Sequence, residues 1–124
     1  VKKMLKKRIH INGSKVLVMG FTFKENCPDV RNTKVIDIVH ELIDFGAEVD
    51  IFDPWVAVDE AQREYGVTPV IRLDSNLYDG IILAVAHREF ISMGSAGIKN
   101  HGNEIHVFYD LKSVFSITES DIRL

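Results

Sequence analysis

Lys24 and Arg31 stand seven positions apart in a polar segment, GFTFKENCPDVRNT, that follows directly on the apolar run Val16 to Met19. Two cations in a loop fed by a buried strand suit an anionic ligand. Arginine offers a planar two-pronged donor and lysine a mobile point charge, and both match phosphate oxygens. A nucleotide diphosphate is the expected occupant, with the chain forming one domain of a larger enzyme. An ordinary surface role is open too, because Glu25, Asp29 and Asp37 are near enough in sequence to pair with either cation. His87, Arg88 and Lys112 fall in two later loops and would add to the cationic end. The formal net charge is −3, so any anion site must be local, and a partner bound by wholesale phosphate neutralisation, such as duplex DNA, is argued against.

Other reactive residue types give weaker signals. Histidine can exchange protons near neutral pH, so His87 is a candidate acid or base, but no partner stands at a recognisable spacing and a polar loop role is the plainer reading. Cys27 precedes Pro28 in a loop with no histidine near it in sequence, which argues against a nucleophile. Asp53 follows the second apolar strand, where a dinucleotide fold would place a ribose-binding carboxylate. Without a glycine-rich loop it reads better as a turn or helix-capping aspartate. His10, His40, His101 and His106 are scattered without ligand spacing, so no metal site is predicted.

The elements that must hold these residues follow from periodicity. Val16 to Met19 and Ile81 to Val85 are short unbroken apolar runs, as expected of strands buried on both faces of a parallel sheet. Glu48 to Phe52 and Ile105 to Tyr109 read as further strands, and Val67 to Val70 as a short fifth. Val35, Ile36, Ile38, Val39, Leu42 and Ile43 form one helical stripe, capped at Asn32 or Thr33 and ended by Gly46. A second helix runs from about Ala57 to Tyr65, His87 to Phe90 reads as a loop, and Gly94 to Asn103 as a short helix and turn. The alternation predicts an α/β fold, a three-layer Rossmann-like open parallel sheet of about five strands with helices on both faces. At 124 residues one domain is expected. The run VKKMLKKR, with Ile9 and Ile11, reads as the solvated end of a helix stopped near Asn12-Gly13. No apolar run approaches the roughly 18 residues of a membrane span. One cysteine and no visible targeting segment make the cytoplasm the default location.

The segment GFTFKENCPDVRNTKVIDIVHEL resembles the start of the C-terminal domain of the nucleotide-sugar 6-dehydrogenases, the UDP-glucose/GDP-mannose dehydrogenase family. That pattern is Gly, two residues, Phe-Lys, a short polar stretch ending in an acidic residue, then Arg. Gly20, Phe23, Lys24, Asp29 and Arg31 meet it. The resemblance continues through Gly46-Ala47-Glu48-Val49, Asp53-Pro54, Ile81 to Val85, Phe90 and Asp110. FKENCPD, FDPW and DLKSVF are most similar to the branch that oxidises UDP-N-acetylhexosamines for surface polysaccharides.

The resemblance implies an NAD-dependent, four-electron oxidation of a UDP-sugar to a UDP-uronic acid through a thioester on a cysteine. In the family that cysteine and the G-x-G-x-x-G loop precede this domain, so NAD would be held mainly by an N-terminal domain outside this chain. Cys27 would not be the nucleophile, no catalytic residue is assigned, and the chain alone is expected to be inactive. By carry-over, Phe23 and Lys24 contact the nucleotide sugar, and Arg31 faces the cofactor side of the cleft. Lys112 stands where many members have an arginine that reaches the substrate. Residues 1–13 would end the helix that joins the halves and builds a homodimer, and 14–124 would be the nucleotide-sugar-binding domain. The implied partners are a UDP-sugar, by the branch resemblance a UDP-N-acetylhexosamine, and the N-terminal and central domains of the same enzyme, with neither nucleic acid nor membrane. The competing class is a stand-alone receiver-like signalling module. Such a module needs an acidic pair after its first strand for Mg²⁺, where this chain has Phe21-Thr22-Phe23-Lys24.

Overall fold

A computed structural model of the chain describes residues 7, 9–22, 24–31, 33–115 and 119–123. Strand β1 (Lys15–Met19) is the axis of the sheet and is buried from Val16 onward. Its side chains divide by simple alternation: Leu17 and Met19 enter one core, Val18 the other. Around it lie β2 (Glu48–Phe52), β3 (Tyr78–Leu83), β4 (Gly102–Asp110) and β5 (Ile122–Arg123), in the order β2-β1-β3-β4-β5. Every neighbouring pair is parallel.

Helices α1 (Val35–Asp44) and α2 (Val58–Tyr65) pack on one face of the sheet, and α3 (Arg88–Lys99) on the other. Helix α1 buries Val35, Ile36 and Val39 and shares a core with Val18, Ile51, Ala84, Val85 and Ala61 of α2. Helix α3 brings Phe90 and Ile98 against Leu17, Ile81, Leu83 and Phe108. The architecture is therefore the three-layer, Rossmann-like parallel sheet that the sequence predicts. The expected end of α1 also holds. Gly46 is left-handed at φ +92° and its N–H reaches the Ile43 carbonyl at 2.8 Å.

The fifth strand is not the expected one. Residues 67–70 are irregular and attach to β2 by one bond, Val70 N–H to the Ile51 carbonyl at 2.8 Å. Pro69 has no N–H to continue a ladder. The strand that completes the sheet is β5, in the polar tail, and the Asp121 carboxylate sets its place by accepting the Phe108 N–H at 2.7 Å. Two further expectations are corrected. Residues 88–90 are not loop but the first turn of α3, which bends at Gly94 (φ +71°) rather than starting there. Residues 9–13 are irregular chain and a turn, tied by Gly13 N–H to the Gly46 carbonyl at 2.8 Å, not the end of a helix. The rest of that expected helix, residues 1–6 and 8, lies outside the described residues.

Candidate functional site

The chain leaves β1 toward β2 on one side and reaches β3 on the other, so strand order reverses at β1. In an open parallel sheet the crevice at the carboxyl ends of the strands flanking such a point is where ligands bind. Gly20 begins the β1 loop at φ +99°. A Cβ there would lie 2.6 Å from the Val85 Cβ, so its missing side chain serves close packing of the β1 and β3 loops.

A cleft of about 210 Å³ opens at this position. Thr22, Lys24 and Glu25 line it from the β1 loop, and Thr33, Lys34, Val35 and Ile38 from the start of α1. Ala84 and Val85 line it after β3, with Leu111 and Lys112 after β4. Three lysines and one carboxylate thus share a cleft whose remaining wall is two threonines and five apolar residues. Lys24, Lys34 and Lys112 are all exposed, and none forms an ion pair among the described residues. The first turn of α1 adds the positive end of a helix dipole at the same opening. Chemically this arrangement can hold an anion of more than one charge beside an apolar group.

Beneath the Lys24 side of the cleft lies a buried polar network. The Asp53 Oδ2 accepts the N–H groups of Phe21 at 2.6 Å and Thr22 at 3.0 Å, and its Oδ1 accepts Trp55 N–H at 2.8 Å. The His87 Nε2 lies 2.9 Å from Asp53 Oδ2, with both side chains fully enclosed. Burial would raise the Asp53 pKa, but hydrogen bonds from His87, Phe21, Trp55 and Thr22 outweigh it and hold the carboxyl below its usual range. The His87 Nδ1 accepts the Asn26 N–H at 2.9 Å. That atom therefore presents a lone pair, and the ring proton belongs on Nε2. Trp55 stacks on the imidazole, and the Arg88 guanidinium lies over the indole at 4.9 Å.

Lys24 and Lys112 are brought to the same cleft. Phe23 lies outside the described residues. Arg31 is placed elsewhere, in a shallow open depression with Cys27, Pro28, Asp29 and Glu60. Its Nε and Nη2 donate to the Asp29 carboxylate at 3.0 and 3.2 Å, the surface pairing the sequence left open. Those bonds lower the Asp29 pKa and raise that of Arg31. Lys34 was missed, because in sequence it is only the residue before an amphipathic helix. A helix start returning to the end of the first strand is the signal that could have found it. His87 is a buried member of the network, not a polar loop residue, and Arg88 is engaged over Trp55. Asp53 makes the expected turn, through Trp55 N–H, and does more besides.

Comparison with known proteins gives a consistent result. The sequence pattern of the UDP-glucose/GDP-mannose dehydrogenase family, UDP binding domain, matches residues 17–117. The chain is 57% identical over its whole length to a UDP-N-acetyl-D-glucosamine 6-dehydrogenase of Pseudomonas aeruginosa. It is 54% identical, again over its whole length, to the protein of the same name from Salmonella typhi. It spans 29% of the length of each of these relatives. The fold is similar to that of an NDP-N-acetyl-D-galactosaminuronic acid dehydrogenase from Methanosarcina mazei Go1. The TM-score is 0.80 at 24% identity, over 95% of this chain and 24% of the other.

Proposed function

This chain belongs to the UDP-glucose/GDP-mannose dehydrogenase family, as its UDP binding domain, and from that premise we propose that the cleft edged by Lys24, Lys34 and Lys112 takes the diphosphate of a UDP-sugar. The observation that carries the reading is the meeting of three lysines, free of ion pairs among the described residues, at the point where strand order reverses. The apolar wall of Val85, Ile38 and Leu111 offers surface to the uncharged part of the ligand. Lys112 acts as a point charge, without the two-pronged geometry of an arginine.

In this proposal residues 14–124 form the nucleotide-sugar domain of an NAD-dependent UDP-sugar 6-dehydrogenase. The whole enzyme is cytoplasmic and homodimeric, and it oxidises a UDP-N-acetylhexosamine for polysaccharide synthesis. The substrate assignment is supported by the two relatives above 50% identity. NAD does not fit the β1 loop of this chain. The loop has no G-x-G-x-x-G, and the space at Gly20 is filled by Val85 rather than left for a pyrophosphate. NAD is therefore assigned to the upstream part of the enzyme, with Arg31 as the residue of this domain directed toward it and Phe23 as a further substrate contact.

The test is calorimetric titration of the full-length protein carrying this chain with UDP. Lys24→Ala should weaken binding about tenfold, the loss of one charge-assisted contact. Unchanged affinity would refute the role given to Lys24.

A further inference from the structure

Lys24 is bracketed by three backbone groups held from below. On its N-terminal side, Thr22 N–H donates to the buried Asp53 Oδ2 at 3.0 Å. Its own carbonyl accepts the Thr22 hydroxyl at 3.0 Å. On its C-terminal side, Asn26 N–H donates to His87 Nδ1 at 2.9 Å. Asn26 is left-handed at φ +56°, and its side-chain oxygen accepts the Arg88 N–H at 2.8 Å, which ties the loop to the start of α3.

The hydrogen inventory closes. With Nδ1 accepting, the one ring proton of His87 is on Nε2, where Asp53 Oδ2 at 2.9 Å and Thr22 Oγ1 at 3.1 Å share it. Thr22 has given its own hydrogen to the Lys24 carbonyl, so toward His87 it can only accept. Every donor in this chain of contacts has an acceptor, the His87 proton having two, and the His87 and Asp53 side chains have no exposed surface from which to reach a ligand themselves. Nothing in this cluster is left over for proton transfer.

We infer that Asp53 and His87 are positioning residues that fix the backbone on both sides of Lys24 and so aim its ammonium into the cleft. The inference rests on the nucleotide-sugar reading of that cleft. A lysine on a loop loses affinity when the loop must be ordered at binding, and a loop ordered beforehand avoids that loss. Asp53 and His87 supply the ordering from beneath the cleft, without lining it themselves.

A double-mutant cycle on UDP binding, in the full-length protein carrying this chain, separates positioning from general support of the fold. His87→Gln can keep an amide donor toward Asp53, but when it does its one acceptor oxygen does not occupy the Nδ1 position that receives Asn26 N–H. It should weaken UDP about three- to fivefold when Lys24 is present, and by less than about 1.5-fold in the Lys24→Ala background. A structural role alone would lower affinity equally in both backgrounds, and that result, or no effect of His87→Gln in either, would overturn the inference. If Lys24→Ala itself leaves UDP affinity unchanged, the reading of the site fails, which is a distinguishable outcome. Thr22→Val, which removes the hydroxyl bridge from His87 to the Lys24 carbonyl, carries the same expectations. It decides the matter if His87→Gln does not fold.

Discussion

The two halves of the loop after β1 hold their cations in opposite ways. Around Lys24 the backbone N–H groups of Phe21, Thr22 and Asn26 are tied to Asp53 and His87 in the interior, and Lys24 is left without an ion pair among the described residues. In residues 27–31 the anchor is an apolar side chain set between the two charges. Val30 is fully buried, its carbonyl accepts the Tyr65 hydroxyl at 2.6 Å, and Arg31 turns back on Asp29 two residues away. A charge is available to a ligand where buried partners satisfy the backbone and leave the side chain free. Where a local carboxylate satisfies the side chain, that partner must first be displaced. Two cations that look equivalent in the sequence are therefore unequal in the fold.

The comparison is broken most severely at its buried anchor. Asp53→Asn should lower unfolding free energy by roughly 2–4 kcal/mol in urea denaturation, because a neutral amide turns one donor toward groups that all donate. Next in size is the contrast between the cations. Lys24→Ala should weaken UDP about tenfold and Arg31→Ala less than about twofold by calorimetry. An equal loss for both would erase the distinction between the halves. Smaller again is the acid limb of stability. The Asp53 carboxyl titrates below its ordinary value when folded, so its contribution is complete above about pH 4 and is lost as pH falls through the lower folded value. Thermal unfolding scanned from pH 5 to pH 2 should show this decline in the parent and a flatter one in Asp53→Asn. The smallest expected effect is Asp29→Asn, which should leave the urea midpoint unmoved because its pair with Arg31 lies at the surface.

How much of this was legible differs by kind of signal. The α/β class could be read from Val16 to Met19, Ile81 to Val85 and the stripe from Val35 to Ile43, since strand and helix periods are local properties. The position of Lys24 at the crevice followed from the same pattern. The membership of the fifth strand did not, because Asp121 earns its place through a bond to Phe108, thirteen residues earlier, and a two-residue strand has no period to detect. The role of His87 was equally hidden. Its partners Asn26, Thr22 and Asp53 are 61, 65 and 34 residues away, and only the closed sheet brings them together. A loop histidine and a buried structural histidine are the same letter until topology is known. Lys34 illustrates a third case, a residue whose meaning depends on where its helix begins in space.

Lys7 and Asp121 are 114 residues apart along the chain and 2.8 Å apart in the fold. Lys7 also donates to the His106 carbonyl in β4 at 2.6 Å. The same aspartate that seats β5 on the sheet therefore receives any pull transmitted through Lys7. Tension on the N-terminal segment is delivered to the β4–β5 edge, at the side of the sheet away from β2 and the Asp53 turn. Because β4 is held directly and its end leads to Lys112, that lysine stands nearer to this edge of the sheet than Lys24, which follows β1.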